Sequence, residues 1–225
     1  MKQQPIKTEE LYEYEPLTAN QKRAFDGWAD GDNLALMGSA GTGKTFLAMY
    51  LAMEVVADKG EPQEKICLFR SVVPTRDMGY LPGDVEEKKA VFETPYKNIV
   101  DEILGGDQPY RRMLHTHQLE FMTTSFIRGL TLDNAVIIVD EMQNLNFHEL
   151  DSVMTRVGNN CRVIFCGDYH QSDFKEGHER EGVIKFTRVI EQLKDFNVIT
   201  FGWDDIVRSD FVRDYIMTKE MLGIR

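Results

Sequence analysis

The residues best suited to chemistry in this sequence form an octapeptide. Residues 38–45 read Gly-Ser-Ala-Gly-Thr-Gly-Lys-Thr and fit the phosphate-binding loop pattern of Gly, four spacers, Gly, Lys and Ser or Thr. The glycines let successive backbone N–H groups face a phosphate, Lys44 is placed to reach the β- and γ-phosphates, and Thr45 is a ligand for Mg²⁺. We therefore expect a nucleoside triphosphate to contact the loop and the next residue, that is Gly38, Ser39, Ala40, Gly41, Thr42, Gly43, Lys44, Thr45 and Phe46.

Acidic and amide side chains follow two later apolar runs. Asp140 and Glu141 end the run 135–139, and Asp168 and Gln171 follow the run 162–166. Ligands of parallel sheets lie at the carboxyl ends of the strands, so these residues are expected to meet the loop. Asp140 would hold Mg²⁺ through water, Glu141 would deprotonate the attacking water, and Gln171 would sense the γ-phosphate. The alternative is that they are solvated loop residues.

The elements that must position these residues alternate along the chain. Apolar runs at 33–37, 65–69, 135–139, 162–166 and 197–201 predict strands, and 119–126 predicts a weaker one. Helices are predicted at 18–28, 46–59, 147–157, 183–194 and 209–221, with Thr18 as a cap. The pattern indicates a single α/β domain over residues 16–225, with a mostly parallel sheet and helices on both faces. The polar residues 1–15 are expected to form a flexible tail.

Composition narrows the class of protein. The chain has 225 residues, of which 42% are hydrophobic, and a net charge of −11, which argues against coating nucleic acid by bulk attraction. No apolar run approaches the length that crosses a bilayer, and the start of the chain does not resemble a secretory signal. The three cysteines lack metal-ligand spacing and indicate free thiols in a reducing cytoplasm.

Several motifs resemble those of known motor ATPases. Residues 140–143 resemble the DExQ box of superfamily 1 helicases, which includes Gln143, and 167–171 resemble their GDxxQ box. Residues 17–21 resemble their Q motif, whose glutamine, here Gln21, recognises adenine. Over nearly its whole length the chain is similar to PhoH-family ATPases, particularly phage-encoded ones, through the loop and residues 79–88, 128–132, 139–144, 155–158, 167–171 and 205–208.

This resemblance implies a RecA-like core that hydrolyses ATP with Mg²⁺ and acts on single-stranded nucleic acid, RNA or DNA, in the (host) cytoplasm. Only 54 residues follow Gln171, too few for the second motor domain of a helicase, so we expect a homo-oligomer, such as a hexameric ring. An arginine finger would come from Arg156 or Arg208, with Arg128 and Arg180 as other candidates, all expected near the carboxyl edge of the sheet. Each arginine has an alternative role in a structural ion pair.

Basic and aromatic residues are the candidates for contacting a nucleic acid. Four cations flank the segment after the second strand, namely Arg70, Arg76, Lys88 and Lys89. Tyr80, Phe92 and Tyr96 are candidates for stacking on bases, or else pack within this segment. Arg111 and Arg112 are a second basic patch or an ordinary surface loop. Two other functions remain open: a nucleotide-gated binding or scaffold protein with slow timer hydrolysis, and a small-molecule kinase.

Overall fold

The computed structural model describes residues 4–71, 85–106, 108–122, 127, 129–168 and 177–224. These residues form one sheet in which each neighbouring pair of its six strands is parallel. The strands are β1 (Asn33–Gly38), β2 (Lys65–Arg70), β3 (Leu119–Met122), β4 (Ala135–Asp140), β5 (Arg162–Gly167) and β6 (Phe196–Phe201). Their order across the sheet is β3-β2-β4-β5-β1-β6. The three strands that lead into the predicted site are therefore adjacent.

The strands are short apolar runs because both faces of the sheet are covered. All six residues of β4 are buried, and the same holds for five of the six in β1 and in β5. Successive residues of β1 enter opposite cores, since Leu36 packs in one apolar cluster and Met37 in the other. The α/β fold predicted from the sequence is confirmed. No disulfide joins the cysteines, which are Cys67, Cys161 and Cys166.

The helices divide between the two faces. One core includes residues of α1 (Ala19–Ala29), α2 (Lys44–Ala57), α3 (Val85–Leu104) and α4 (Pro109–His115). The other includes residues of α5 (Phe147–Met154) and α6 (Gly177–Ile190). A last helix, α7 (Asp210–Met221), has no buried residue. No helix in the described part of the chain combines the length and the apolar character that crossing a membrane requires.

Most element ends lie close to their predicted positions. Thr18 caps α1, since its hydroxyl accepts the N–H of Gln21 at 3.3 Å. Helix α2 begins inside the loop at Lys44, and α6 begins and ends earlier than the sequence indicated. Strand β3 covers the first half of the predicted 119–126, and residues 123–126 lie outside the described part of the chain.

The N-terminal segment packs against α3 and α4, which differs from the flexible tail expected from its polar sequence. Ile6 is buried in the core. The guanidinium of Arg112 donates to both carboxylate oxygens of Glu10, at 2.6 and 2.7 Å. The N–H of Tyr12 donates to the carbonyl of Ile103 at 2.9 Å. One buried apolar side chain and one ion pair thus fix a segment whose composition predicted mobility.

Candidate functional site

The phosphate-loop octapeptide joins the end of β1 to the start of α2. Gly38 and Gly43 have φ angles of 122° and 81°, in the region that side chains rarely adopt. A Cβ at Gly38 would lie 2.0 Å from the carbonyl oxygen of Phe201, so this position requires glycine. The loop brings the amino end of α2 to the carboxyl edge of the sheet. Unpaired N–H groups and the helix dipole favour an anion there.

A cavity of about 630 Å³ lies in front of the loop, a size suited to a nucleotide. It is lined by seven of the nine predicted nucleotide-contacting residues, from Ala40 to Phe46, and by Gln21. Gly38 and Ser39 lie behind this surface. The other lining residues include the acidic and amide residues Asp140, Glu141, Gln143 and Asp168, and the aromatic residues Tyr14, Phe25 and Tyr50.

Lys44 is held within the loop. Its Nζ donates to the carbonyl oxygens of Gly38 and Ser39, at 2.7 Å each. Burial lowers the pKa of its ammonium, and the negative charge of Asp168 opposes this shift. The partly desolvated cation would gain from phosphate oxygens as partners, because they carry charge that the carbonyls lack.

Thr45 and Asp140 meet across the cavity as expected for a shared metal. The Thr45 hydroxyl donates to Oδ1 of Asp140 at 3.0 Å. The other carboxylate oxygen, Oδ2, accepts the phenol of Tyr96 at 2.7 Å. Burial, followed by the charge of Asp140, raises the pKa of Tyr96 well above its usual value, so the phenol stays protonated and donates.

Glu141 is the first residue beyond β4 and has a left-handed backbone with φ of 53°. The amide nitrogen of Gln143 donates to its carboxylate, and the amide oxygen of Gln143 accepts the N–H of Asp168 at 3.0 Å. Burial, and then the neighbouring charge of Asp140, raises the pKa of Glu141. A half-buried carboxylate with a raised pKa suits a general base. Gln171, the expected γ-phosphate sensor, lies outside the described residues.

Gln21 lines the cavity but already has partners within the protein. Its Nε2 donates to the carbonyl of Thr42 at 3.1 Å, and its Oε1 accepts the N–H of Leu17 at 2.8 Å. The side chain therefore supports the phosphate loop. One amide hydrogen and one lone pair remain for a base edge, although the residue is only 7% exposed.

The two arginines proposed as fingers lie at opposite edges of the sheet. Arg208 follows β6 and lines the cavity of its own chain, with Cγ 3.1 Å from where a Cβ on Gly41 would be. Arg156 follows α5, and its carbonyl accepts the N–H of Leu132, ahead of the first residue of β4. The expectation that Arg156 lies at the carboxyl edge is wrong, because a helix that joins two parallel strands returns the chain to the amino edge. Arg128 and the side chain of Arg180 lie outside the described residues.

The C-terminal segment rests on the phosphate loop. The N–H of Val207 donates to the carbonyl of Gly41 at 3.0 Å. The hydroxyl of Ser39 donates to Oε2 of Glu220, on α7, at 3.1 Å. These contacts hold two spacer residues of the loop, Ser39 and Gly41.

The residues expected to contact nucleic acid divide into four groups. Tyr96 is 0% exposed and cannot stack on a base, so that expectation is wrong. Arg70 and Phe92 are half-buried neighbours, with the guanidinium 5.9 Å from the ring centre. Arg112 is paired with Glu10, and it lies with Arg111 on α4. Arg76, Tyr80 and the side chains of Lys88 and Lys89 lie outside the described residues.

Sequence reasoning did not assign three contacts of this site: the phenol of Tyr96 on Asp140, the Tyr14 ring in the cavity and the Glu220 carboxylate on Ser39. Each brings a residue from a distant part of the chain to the loop, to the Asp140 carboxylate or to the cavity. Tyr14 carried a signal, since it lies just ahead of the Q-motif residues. The other two depend on how α3 and α7 pack, which no local pattern reports.

A phosphate loop between β1 and α2, with an acidic pair at the end of β4 in the same parallel sheet, defines a RecA-like P-loop NTPase fold. Within this class, the chain belongs to the family of the PhoH-like proteins, whose sequence profile matches residues 13–219.

Relatives support this membership. The PhoH-like protein of Bacillus subtilis (strain 168) is 31% identical over 200 residues, which cover 88% of this chain and 61% of the relative. Protein PhoH of Escherichia coli (strain K12) is 32% identical over 174 residues, covering 76% and 48%. The chain therefore spans about half to three-fifths of the length of the curated relatives it matches.

Solved structures with a similar fold include a large terminase from a thermophilic bacteriophage. This terminase has a TM-score of 0.53 at 14% identity, covering 92% of this chain and 50% of the terminase. Its complex with ATP-gamma-S has a TM-score of 0.54 at 14% identity, covering 92% and 49%. At this identity the likeness concerns the fold alone.

Proposed function

We propose that this chain is a Mg²⁺-dependent ATPase that works as a homo-oligomer on single-stranded nucleic acid. The observation that carries the hydrolytic part is the setting of Glu141. Its carboxylate lies on the cavity wall that faces the phosphate loop, is oriented by Gln143 and has a raised pKa. A base in this setting favours water as the nucleophile over a bound acceptor molecule.

The residues around Thr45 fit Mg²⁺. Its hydroxyl and the Asp140 carboxylate are hard oxygen donors in direct contact, and Mg²⁺ prefers such ligands. Among the described residues no group of three or more His, Cys, Asp or Glu side chains is arranged to hold a metal. The nucleotide phosphates would therefore complete the ligand set. When bound, Mg²⁺ would neutralise charge on the phosphates.

The protein side chains have separate tasks in hydrolysis. The loop N–H groups and Lys44 hold the β- and γ-phosphates. Glu141 takes a proton as the water oxygen bonds to the γ-phosphorus and the bond from that phosphorus to the β–γ bridging oxygen breaks. The products are ADP and phosphate, and the proton then leaves Glu141 to solvent. Gln21 and the aromatic residues of the cavity would receive the adenine.

Two features, one half-buried and one exposed, support the proposed partners. Arg70 and Phe92 place a cation beside an aromatic ring, the combination that binds single-stranded nucleic acids. On α7, Phe211 is 82% exposed and Tyr215 is exposed, as is Leu222, which caps the helix end. At a spacing of four and seven residues they share one helix face. An apolar face of this kind is typical of association between subunits.

The test is ATP turnover per subunit across a wide protein dilution series, with and without single-stranded RNA or DNA of equal length. We expect stimulation by a single strand and a rise of turnover with protein concentration. Lys44→Ala should abolish tight ATP binding and leave the fold intact. Lys22→Ala removes a lysine that is exposed on α1 and serves as the matched control.

Each result that departs from these expectations would contradict a different part of the proposal. Normal hydrolysis by Lys44→Ala would overturn the assignment of the site. Slow turnover that no nucleic acid changes would favour the nucleotide-gated scaffold. Turnover per subunit that stays flat on dilution, in a monomeric protein, would exclude catalysis that depends on assembly.

A further inference from the structure

One buried phenol contacts the proposed metal carboxylate. Tyr96 lies on α3, is fully buried and donates to Oδ2 of Asp140 at 2.7 Å. Oδ1 of the same carboxylate accepts the hydroxyl of Thr45 at 3.0 Å. The two oxygens therefore have different partners, and one of these partners comes from outside the nucleotide-binding motifs.

This arrangement fixes the rotation of the carboxylate. With a donor on each oxygen, a turn of the Asp140 carboxyl group would break at least one short hydrogen bond. The phenol is a neutral donor, so it places no positive charge beside Asp140 that would compete with a cation. Tyr96 is itself held, because Arg70 approaches its hydroxyl at 3.5 Å and lies 5.8 Å from its ring centre.

A buried tyrosine needs an acceptor wherever it lies, so the hydrogen bond alone is no sign of function. The choice of acceptor is informative. Tyr96 is 44 residues from Asp140 in sequence and reaches a carboxylate that also contacts Thr45 of the phosphate loop.

We propose that Tyr96 is a positioning residue for magnesium binding: it occupies Oδ2 of Asp140 and thereby presents Oδ1, beside Thr45, to the cation. This inference rests on the proposed function, since it concerns the Mg²⁺ that accompanies a nucleotide. It assigns Tyr96 no contact with the nucleotide.

The test separates nucleotide affinity from its dependence on magnesium. A fluorescent derivative of ATP-gamma-S is bound to the full chain in EDTA and then titrated with Mg²⁺. Tyr96→Phe removes only the hydroxyl, and we expect the Mg²⁺ concentration at half-effect to rise about 2- to 10-fold, as loss of one hydrogen bond predicts. Affinity in EDTA should stay at the wild-type value. Tyr110→Phe, a buried phenol on α4 outside the cavity lining, should change neither quantity.

A double variant tests whether Tyr96 acts on Mg²⁺ binding through Asp140. In an Asp140→Asn background, which lacks the oriented charge, Tyr96→Phe should have no further effect on the Mg²⁺ dependence. A Mg²⁺ concentration at half-effect that is unchanged or lower in Tyr96→Phe would overturn the inference. A Tyr96→Phe variant that does not fold would overturn it as well, because the phenol would then serve the core. A wild-type protein that binds the probe neither with nor without Mg²⁺ would instead overturn the proposed function.

Discussion

Gln143 donates its side-chain amide to the carboxylate of Glu141, two residues earlier in the chain. The oxygen of that amide accepts the N–H of Asp168, at the end of β5. The carboxylate of Glu141 is thus held from a neighbouring strand as well as by its own unusual backbone turn. A base whose direction is fixed in this way is ready to accept a proton from a positioned water.

We predict that Glu141→Gln separates binding from hydrolysis. Glutamine keeps the shape of the side chain but cannot accept the proton, so turnover should fall on the order of 10²-fold or more. Affinity for ATP should be retained. Steady-state hydrolysis and equilibrium nucleotide binding measure the two effects, and Glu191→Gln, at an exposed position beyond α6, is the control. Turnover at the wild-type rate would reduce Glu141 to a structural loop residue.

The second prediction concerns the base of the nucleotide. Gln21→Ala removes the bond to the Thr42 carbonyl, so binding of both ATP and GTP should weaken. The loss should be larger for ATP if the remaining amide hydrogen and lone pair read the adenine edge. Competition titrations with both nucleotides measure the ratio, with the exposed Gln192→Ala as control. Equal losses would restrict Gln21 to supporting the loop.

The third prediction distinguishes the two arginines by mixing inactive subunits. Arg156 lies at the edge opposite the loop, so only a neighbour's cavity is within its reach in a head-to-tail assembly. An equal mixture of Arg156→Ala and Glu141→Gln subunits should recover about a quarter of the wild-type rate. An active site needs an intact Glu141 from one subunit and an intact Arg156 from its neighbour, and random assembly gives this pairing at about a quarter of the sites. A finger contributes about 10³–10⁵ in rate, so the recovery stands well above background.

Arg208 should behave differently in the same experiment, because it lines the cavity of its own chain. Arg208→Ala mixed with Glu141→Gln should show no recovery. Lys44→Ala mixed with Glu141→Gln is the negative control, since both substitutions damage the subunit's own site. Recovery with Arg208→Ala, and none with Arg156→Ala, would reverse the two assignments.

Much of this site was predictable because its parts are local. The glycine loop, the strand that ends at Asp140 and the cap at Thr18 are each written in consecutive residues, and parallel strands bring their ends to one edge. Tyr96 was not predictable, since its contact with Asp140 depends on how α3 packs across the sheet. The predicted position of Arg156 was wrong for a different reason. The crossover from β4 through α5 to β5 places Arg156 at the amino edge of the sheet, and the order of these elements was already predicted from the sequence.

The fourth prediction concerns the N-terminal segment and pH. The hydrogen bond from Arg112 lowers the pKa of Glu10 below its usual 4.5, with burial acting in the opposite direction. The ion pair therefore adds stability above pH 4.5, and this is lost as pH falls through the lowered pKa. Glu10→Gln should reduce the free energy of unfolding at pH 7 by at most about 1 kcal/mol, or about 4 °C in Tm.

Thermal denaturation at pH 7 and at pH 3 checks this prediction, since the difference between variant and wild type should shrink in acid. Glu9→Gln, at the exposed residue next to Glu10 in the short 3-10 helix Thr8–Glu10, is the control. A difference that stays the same at both pH values would exclude the ion pair as its cause.

The contact between Ser39 and Glu220 has a consequence for how the protein is made. The glycine loop is translated early, but Glu220, which supports it, is translated 175 residues after Thr45. At about 5–20 residues per second, the ribosome takes roughly 9–35 s to cover that distance. During this interval a nascent chain contains the whole octapeptide without the contacts that shape it. Ser39 can reach Glu220 only when α7 has emerged, so an interrupted chain carries the motif but lacks this support.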